Sequence, residues 1–273
     1  MSISLLIKTY NQVDLLEKVL RGVDRQTSMP DEIILADDGS TDGTKELFLS
    51  YSKRWHSRSV FVSQTNRGFR ASRILNRAII CAKGDYLVFL DGDSVPESHF
   101  IEDHRAFAKK GFFIQGHRAL VQKKALSYFG NGNLTSERWR AMLSFQLKGV
   151  KNAWRWPVPS IRVRSDLRGI RACNQAVWRN DMLKINGYNE AFEGWGREDS
   201  ELAIRLLNSG IKRQDLRGRA CCFHLWHEPS SRVRLNENDR LLEDAIRSGK
   251  KYCQLGIAEI DSDPEEYILL ESR

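Results

Sequence analysis

Segments with strand character and segments with helix character alternate through the first 117 residues of this 273-residue chain. Short apolar runs rich in Ile, Leu and Val are followed by longer stretches whose apolar residues recur at helical spacing. Neighbouring parallel strands need a long crossover connection, usually a helix, so this alternation constrains the chain to an α/β fold. We therefore predict a single domain with a mostly parallel central sheet flanked by helices.

The predicted elements follow from periodicity and turn signals. In the first half, strands are predicted at 4–8, 32–36, 60–63, 85–90 and 112–115, and helices at 13–25, 45–55, 70–82 and 96–109. Beyond residue 122 the pattern is weaker, with helices predicted at 136–147, 179–185, 198–209 and 236–248 and strands at 171–178 and 220–226. The acidic stretch 261–266 predicts the start of a poorly ordered tail.

Two carboxylates follow one of the predicted buried strands. Asp91 and Asp93 come directly after the apolar run 86–90. Open α/β sheets bind their ligands at the carboxyl ends of strands, and alternation along an extended segment points both side chains to one side. Carboxylate oxygens suit a hard divalent cation, which in turn suits a diphosphate. A solvent-facing turn is the alternative reading of this pair.

A second acidic pair, Glu198 and Asp199, begins a segment with helical periodicity about a hundred residues later. Carboxylates are favoured at the amide-rich end of a helix, and this pair is a candidate source of a general base. Trp195 stands between two glycines just before the pair and is a candidate for stacking on a sugar ring. The alternative is a structural helix N-terminus with a buried tryptophan. A metal site together with a base indicates transfer of a group from a phosphorylated donor.

Composition narrows the class of protein. Hydrophobic residues make up 41% and charged residues 29% of the chain, as in ordinary globular proteins. The longest apolar runs are about five residues, whereas a membrane-spanning helix needs roughly 20. The N-terminus lacks the features of a signal peptide, so we expect a cytoplasmic protein. The five cysteines, which lack Cys-x-x-Cys spacing, indicate neither a disulfide framework nor a zinc site.

The net charge of +8 is unevenly distributed. Between residues 155 and 179 there are six arginines and one acid, Asp166. Such a segment attracts phosphates, an anionic membrane surface or nucleic acid, and it is equally compatible with a solvated loop. The sequence contains no zinc finger and no aromatic-plus-glycine RNA-binding signature, so we expect no nucleic-acid partner and a peripheral contact with an anionic membrane surface.

Five motifs occur in an order that resembles family 2 glycosyltransferases of the GT-A fold. Each motif alone is weak, but five in this order and context are specific. The segment 186–199 also resembles the acceptor and base segment of galactosyltransferases and chondroitin-type synthases, and the similarity covers about residues 3–230. The other four motifs are Thr9-Tyr10-Asn11, Asp37-Asp38-Gly39-Ser40, Asn66-x-Gly68 and Asp91-Gly92-Asp93.

The resemblance implies donor-binding residues in the first half of the chain. Asp38 would contact the nucleotide base with support from Asp37, while the turn at Gly39 lets the backbone approach the ligand. Read alone, an Asp-Gly turn of this kind is more often structural. Asp91 would contact the ribose or the water shell of the metal. The implied nucleotide-sugar site also includes Thr9, Tyr10, Asn11, Arg67, Arg70 and Gly92, although the arginines equally suit an ordinary helix surface.

The resemblance also implies a metal site and a catalytic base. Asp93 would ligate Mn²⁺ or Mg²⁺, and a histidine from beyond the base segment would complete the coordination. Both His224 and His227 qualify, on opposite faces of an extended segment or together in a turn, and we favour His227. By the same resemblance Asp199 is the general base. Glu198 would then bind the acceptor sugar or support the base, and Trp195 would contact the acceptor.

The sequence departs from the family pattern in three places. Lys8 stands where many relatives have proline, and we expect this to matter little. Arg197 replaces a common small residue before the acidic pair, so we expect it to tune acceptor choice. The region 122–171 has no usable match, and we expect it to encode donor and acceptor identity.

Together these features predict a metal-dependent inverting glycosyltransferase. It would move a sugar from a nucleotide-diphosphate sugar, with UDP as the expected nucleotide, to a hydroxyl of a glycan or lipid-linked glycan acceptor. Lipopolysaccharide or capsule assembly at the cytoplasmic face of the inner membrane is the expected setting. Residues 1–117 would bind the donor, residues 118–255 the acceptor, and residues 256–273 would form a tail.

Two alternatives remain open at this point. A sugar nucleotidyltransferase should open with a Gly-rich phosphate loop and a following lysine, whereas the loop here is Thr9-Tyr10-Asn11-Gln12. A non-catalytic glycan- or nucleotide-binding protein of the same fold is the second alternative, and retention of both acidic pairs and the histidines argues against it.

Overall fold

The computed structural model describes residues 1–262 and 267–272. Its first half alternates strands and helices as the sequence predicts. The elements are β1 (Ile3–Thr9), α1 (Val13–Asp24), β2 (Glu32–Asp37), α2 (Thr44–Ser52), β3 (Arg58–Gln64), α3 (Ala71–Cys81), β4 (Tyr86–Asp91), β5 (Ser94–Pro96), α4 (Phe100–Phe107) and β6 (Phe112–Gln115).

The second half contains shorter and less regular elements. These are β7 (Arg118–Val121), α5 (Leu134–Leu143), β8 (Leu147–Lys148), β9 (Ser160–Arg164), β10 (Gln175–Trp178), α6 (Arg179–Lys184), α7 (Glu198–Asn208), β11 (Lys212–Arg217), β12 (Cys222–Leu225), α8 (Leu235–Ser248) and β13 (Tyr267–Ser272). None of the helices in the described ranges is both long enough and apolar enough to cross a bilayer.

The described strands form one large sheet and one small sheet. The nine strands of the large sheet lie in the order β13-β3-β2-β1-β4-β10-β6-β11-β9. Strands β1 to β4 are parallel to one another. Strand β10 is antiparallel to both β4 and β6, so β6 runs in the same direction as β4, and β11 is parallel to β6. Six strands therefore run in one direction. The expected mostly parallel sheet is therefore confirmed, with β9, β10 and β13 running the opposite way.

The core lies on both faces of the large sheet. Ile3, Leu5 and Ile7 of β1 belong to one apolar cluster, while Leu6 belongs to the cluster on the other face. This alternation follows from the two-residue period of a strand, and it explains why the parallel strands read as nearly continuous apolar runs.

The small sheet joins the end of β4 to the second half of the chain. Its order is β5-β12-β7-β8, and β12 runs antiparallel to β5 and parallel to β7. Because only Gly92 and Asp93 separate β4 from β5, the two sheets meet beside the acidic pair. The N–H of Leu225 donates to the carbonyl of Asp93 at 2.8 Å. This contact sets the end of β12 against Asp93.

A buried ion pair fixes α7 against the turn that precedes it. Arg205 and Glu201 are both fully buried and their side chains lie 2.7 Å apart, one helical turn from each other. The guanidinium also donates to the carbonyls of Ile185 and Gly187. A buried guanidinium needs such partners to offset its lost hydration. The pair thereby anchors the helix that carries the second acidic pair at its start.

Several sequence predictions differ from the structure in detail. The predicted helix at 96–109 begins only at Phe100, and the predicted strand at 171–178 is a helical turn followed by β10. The segment 256–273, predicted to be a tail, contains β13, which pairs along its whole length with β3 at the edge of the large sheet. Residues 263–266 of the stretch expected to be poorly ordered lie outside the described residues. The division of the chain at 117 and 118 stays a prediction.

Candidate active site

Asp93, His224 and His227 converge at the junction of the two sheets. Nε2 of His227 lies 3.1 Å from one carboxylate oxygen of Asp93, and Nε2 of His224 lies 3.9 Å from the other. One ligand atom from each residue falls within 4.8 Å of the other two. Since β12 ends at Leu225, the chain turns and stacks the two imidazole rings with centroids 5.2 Å apart. The structure thus brings both histidines, rather than His227 alone, to Asp93.

The outer nitrogen of each histidine is held by the backbone. Nδ1 of His224 donates to the carbonyl of Leu225 at 2.9 Å, and Nδ1 of His227 donates to the carbonyl of Glu228 at 2.7 Å. A neutral imidazole with its proton on Nδ1 presents a lone pair at Nε2. Two such lone pairs and a carboxylate facing one another are three electron donors that a cation would stabilise. These side chains therefore fit a divalent metal, with imidazole favouring a transition metal.

Burial and mutual contacts shift the pKa values of these three groups. Burial alone would raise the pKa of Asp93, but the hydrogen bond that His227 donates when its imidazole is protonated, together with the charges of both histidines, lowers it overall. Burial lowers the pKa of His224, while the hydrogen bond to Asp93 raises that of His227. Asp93 is thus kept as a carboxylate, the form that binds a metal.

Lys8 interacts with carboxylates of both acidic pairs. Lys8 and Asp91 are register partners on the adjacent parallel strands β1 and β4, and Nζ of Lys8 lies 3.3 Å from Asp91. Burial alone would lower the pKa of Lys8, but the charges of Asp91, Glu198 and Asp93 raise it above its ordinary value. One ammonium is therefore influenced by carboxylates that lie about a hundred residues apart in the sequence. The expectation that Lys8 matters little does not take account of this position.

The second acidic pair occupies two different environments. Glu198 is buried, and its Oε2 has no hydrogen-bond partner in the described part of the chain. Asp199 is only partly buried and accepts from the backbone N–H of Ala172 at 3.3 Å and from Ser200 at 3.1 Å. Burial raises the pKa of Asp199, against the opposing effects of Ser200 and of the Arg171 charge.

The pKa of Glu198 gives a pH-dependent expectation for stability. Burial first, and then the charge of Asp199, raise this pKa from 4.5 to about 7, with Lys8 opposing. The folded state then holds the proton more tightly than the unfolded chain, so this group costs stability as the pH rises from its unfolded to its folded pKa. We expect Glu198→Gln to raise the free energy of unfolding by roughly 1–3 kcal/mol at pH 8 and by much less at pH 5.

Urea unfolding of both proteins at the two pH values measures this difference. Glu243→Gln on α8 is the matched control, since that residue is exposed and the same change should have no comparable pH dependence. A stability gain for Glu198→Gln that is equal at pH 5 and pH 8 would contradict the assignment of a raised pKa to Glu198.

The Asp37-Asp38 pair lies at the end of β2 with its oxygens already engaged. Asp37 accepts from the N–H of Ser40 and from the hydroxyl of Ser63. Asp38 accepts from the side chain of Gln64 at 2.6 Å and from the N–H of Arg70 at 2.8 Å. Burial raises the pKa of Asp38, and these two hydrogen bonds oppose that shift. The pair thus fixes the loop before α3, and each carboxylate oxygen retains lone-pair capacity for a ligand.

The Thr9-Tyr10-Asn11 segment begins at the end of β1, where Thr9 is the register partner of Asp37 on β2. The N–H of Asn11 donates to the Ser40 hydroxyl, and Asn11 accepts from the N–H of Thr41, which ties the two loops together. Tyr10 is exposed, and its hydroxyl accepts from Asn66. Thr9 packs against Gly92 so closely that a Cβ at that glycine would lie 2.8 Å from the Thr9 hydroxyl oxygen.

A cleft of about 370 Å³ lies between the loop at residues 67–70 and Trp195, just before the second acidic pair. Arg67, Arg70 and Trp195 are among the residues that line it. Trp195 is 41% exposed, and the guanidinium of Arg232 lies 5.3 Å from its ring centroid. A partly exposed ring beside arginines is suited to contact with a sugar and a phosphate. The structure therefore places these three predicted site residues around one cleft.

Two residues near the acidic groups were not predicted as site residues. Lys8 could have been found from the pairing of β1 with β4, because its register partner is Asp91. Arg171 lies in the loop before β10, and its positive charge lowers the pKa of Asp199, against the effect of burial. No sequence signal identifies Arg171, since it belongs to a stretch of six arginines with no distinguishing pattern.

Comparison with protein families decides the classification. The model of glycosyl transferase family 2 matches residues 4–165, more than half of the chain. The chain belongs to glycosyl transferase family 2. A second family model, described as the N-terminal domain of galactosyltransferase, matches residues 156–228 of this family 2 glycosyltransferase. That range contains the second acidic pair and both histidines. The predicted resemblance is confirmed in both halves.

Curated relatives of this family 2 glycosyltransferase include sugar transferases and polysaccharide synthases. Validoxylamine A glucosyltransferase of Streptomyces hygroscopicus subsp. limoneus is 26% identical over 235 residues, covering 77% of this chain and 48% of the relative. Chondroitin synthase of Escherichia coli is 23% identical over 254 residues, covering 87% of this chain and 36% of the relative. The chain thus spans about half or less of the length of these relatives.

Solved structures similar to this family 2 glycosyltransferase include nucleotide-sugar complexes. The structure of S. aureus TarS 1–349 with UDP-GlcNAc matches with a TM-score of 0.63 at 16% identity, covering 96% of this chain and 70% of that one. The mannosyltransferase PcManGT of Pyrobaculum calidifontis with GDP-Man and Mn²⁺ matches with a TM-score of 0.54 at 17% identity, covering 96% of this chain and 65% of that one. The predicted GT-A fold is confirmed.

Proposed function

We propose that this family 2 glycosyltransferase is a metal-dependent inverting enzyme that transfers a sugar from a UDP-sugar to a hydroxyl of a glycan acceptor. The observation that carries the proposal is the position of Lys8, whose Nζ lies 3.3 Å from Asp91 and whose charge environment also includes Asp93 and Glu198. A metal-binding group and a pair of basic carboxylates thus share one site. An inverting displacement needs these two functions on opposite sides of the transferred sugar.

Asp93, His224 and His227 would hold the metal, for which we propose Mn²⁺ ahead of Mg²⁺. Two imidazoles and one carboxylate favour a transition metal, whereas Mg²⁺ prefers oxygen ligands throughout. When bound, the cation would neutralise charge on the diphosphate as it leaves. The carbonyls that accept from Nδ1 of each histidine keep both Nε2 atoms oriented toward Asp93.

We assign the proton transfer to Asp199. As a residue it is less buried than Glu198, and hydrogen bonds from Ala172 and Ser200 orient its carboxylate. Burial keeps its pKa above that of an ordinary aspartate, which strengthens it as a base. Glu198 has a pKa of about 7 and is therefore partly protonated at neutral pH, so its free Oε2 suits a hydrogen bond to the acceptor.

The donor would lie along the ends of β1, β2 and β4. Asp38 would receive a hydrogen bond from the base, and Tyr10 and Asn11 would border the nucleoside. Arg67 and Arg70 would pair with phosphate oxygens in the cleft that also contains Trp195. The UDP complexes of TarS support the choice of nucleotide by structural analogy. A glycan or lipid-linked glycan acceptor of lipopolysaccharide or capsule assembly, met on the cytoplasmic face of the membrane, completes the proposal.

A donor panel tests the proposal directly. The chain is incubated with UDP-, GDP- and dTDP-sugars, with Mn²⁺ or EDTA, and released nucleoside diphosphate is measured. We expect release from a UDP-sugar that depends on Mn²⁺ and increases with a glycan acceptor. A sugar nucleotidyltransferase would instead release pyrophosphate from a nucleoside triphosphate and sugar phosphate. Donor-dependent thermal stabilisation without any turnover across a broad acceptor panel would indicate a binding protein.

A further inference from the structure

The segment before the arginine stretch also carries a large excess of positive charge. Residues 118–151 contain seven lysines and arginines and one acid, Glu137, so they contribute a net charge of +6 to the formal +8 of the chain. The carboxylate of Glu137 is buried and accepts from the N–H groups of Gly130 and Gly132. The only acid of the segment is therefore directed inward, and the exposed charges of this segment are positive.

Three large apolar side chains project from the same segment. Trp139 is 47% exposed and Leu143 is 72% exposed, and they lie one helical turn apart on α5. Phe145 follows the helix and is 89% exposed. Its φ of 56° lies in the left-handed region that bulky residues rarely adopt. The fold therefore accepts local strain at a position where the ring buries little apolar surface.

Packing contacts hold this segment in place. The ring of Trp139 packs edge-on against Trp154 with centroids 4.7 Å apart. The guanidinium of Arg138 lies 3.9 Å from the Trp154 ring centroid and donates to the carbonyl of Ala153 at 3.0 Å. These contacts hold α5 against the turn after β8. The exposed apolar side chains are thus presented by packed structure.

We propose that this surface docks on an anionic lipid membrane. We define the α5–β8 surface by Trp139, Arg140, Leu143, Phe145, Lys148 and Lys151. Moving exposed tryptophan, leucine and phenylalanine side chains from water into the boundary between head groups and acyl chains lowers the free energy. Lysine and arginine beside them are attracted to anionic lipids at the surface. The combination of both properties on one surface is what a membrane requires.

Other occupants satisfy only part of this surface. A second copy of the chain docked through the same surface would bring like charges together. A nucleic acid would neutralise the lysines but leave the side chains of Leu143 and Phe145 without an apolar partner. An anionic membrane supplies both negatively charged head groups and an apolar interior.

The arginine stretch at 155–179 is less suited to this role. Arg155 pairs with Asp103 at 2.8 Å, and Arg164 pairs with Asp166 at 2.9 Å. These contacts neutralise part of the positive charge that the sequence concentrates there. We therefore assign the expected membrane contact to the α5–β8 surface instead.

The α5–β8 surface is connected to the candidate active site by the small sheet. Strand β8 pairs with β7, and β7 pairs with β12, which carries His224. A membrane held at one edge of this sheet would set a fixed relation between the lipid surface and the site. That arrangement suits an acceptor attached to a lipid.

Vesicle binding of the full chain tests the inference without any measurement of activity. The probes are phosphatidylcholine vesicles with and without phosphatidylglycerol, and binding is measured by co-sedimentation. We expect binding only to the anionic vesicles. The double variant Leu143→Ser with Phe145→Ser should weaken binding about tenfold. The double variant Lys148→Gln with Lys151→Gln should weaken it by roughly fivefold per charge, with a smaller dependence on salt.

Matched controls remove similar groups elsewhere on the surface. Val163→Ser removes an exposed apolar side chain from β9, and the double variant Lys53→Gln with Lys251→Gln removes two exposed lysines. These controls should bind like the parent protein, and far-ultraviolet circular dichroism should be the same for all variants.

Four results would overturn the inference. The first is equal binding to neutral and anionic vesicles, and the second is binding that neither α5–β8 double variant changes. The third is a dimer that dissociates in the Leu143→Ser, Phe145→Ser variant, which would assign the surface to a second copy. The fourth is binding to nucleic acid in place of vesicles.

Discussion

Asp93→Asn is expected to reduce sugar transfer by roughly 10³-fold, equivalent to about 4 kcal/mol of lost transition-state stabilisation. The substitution keeps the size of the side chain but removes the charge that faces Nε2 of His224 and His227. A neutral amide is a weaker ligand for a divalent cation, so Mn²⁺ affinity should fall together with turnover. Titration calorimetry with Mn²⁺ and UDP release from the preferred donor measure the two effects separately.

The matched control is Asp14→Asn, the same change at an exposed position on α1. It should leave both Mn²⁺ binding and turnover at the level of the parent protein. His224→Ala and His227→Ala extend the test, because both Nε2 atoms point at Asp93 and each loss should weaken Mn²⁺ binding. Turnover by Asp93→Asn that is unchanged and insensitive to EDTA would remove the metal from the proposed reaction.

Asp199→Asn is expected to lower kcat by about 10²- to 10⁴-fold, the usual contribution of a positioned general base. Donor and Mn²⁺ binding should be retained, since Asp199 contacts Ala172 and Ser200 rather than the metal-binding group. Burial raises the pKa of Asp199, so the rate should fall on the acidic side at a higher pH than an ordinary aspartate would give. The variant should lose this acidic limb of the pH–rate profile.

Glu198→Gln is the comparison that separates the two carboxylates. Glutamine still offers a hydrogen bond to an acceptor, so we expect a higher KM for the acceptor and a smaller loss in kcat. The pKa of Glu198 is itself raised to about 7, which makes it the alternative base. If Glu198→Gln loses the acidic limb while Asp199→Asn keeps it, the roles of the two carboxylates are exchanged.

The first half of the fold could be predicted from sequence because its signals are local. Strands β1 to β4 are apolar on both faces; β1, β2 and β3 are each followed by a turn and a helix, and β4 is followed by β5 and then α4. The residues at the ends of these strands then had to meet along one edge of the sheet. Asp91, Asp38 and Asn11 could be placed in this way before any coordinates were known.

The second half could not be predicted in the same way because its strands pair over long distances. Strand β11 has the sequence KRQDLR, which reads as a polar loop, yet it is buried by pairing with β6 and β9. Strands β7 and β8 have four and two residues, too few for periodicity to identify. The second half of the chain therefore reads as irregular until the partners of its strands are known.

The cluster of Asp93, His224 and His227 shows where sequence reasoning reached its limit. The distance along the chain allowed either histidine, and strand geometry placed them on opposite faces. The strand in fact ends after Leu225, and the following turn brings His227 beside His224. Whether a strand continues for two more residues depends on the length of its partner β7, which ends at Val121 opposite Leu225. That information lies more than a hundred residues away.

The position of Lys8 has a consequence for electroneutrality. Asp91, Asp93, Glu198 and Asp199 carry four negative charges when fully ionised, and Lys8 offsets one of them. A divalent ion would leave a single surplus anion, and a proton on Glu198 would cancel it. A proline at residue 8 has no charge to contribute. With proline at that position, the same four carboxylates and a divalent ion would need one more proton or cation to reach neutrality.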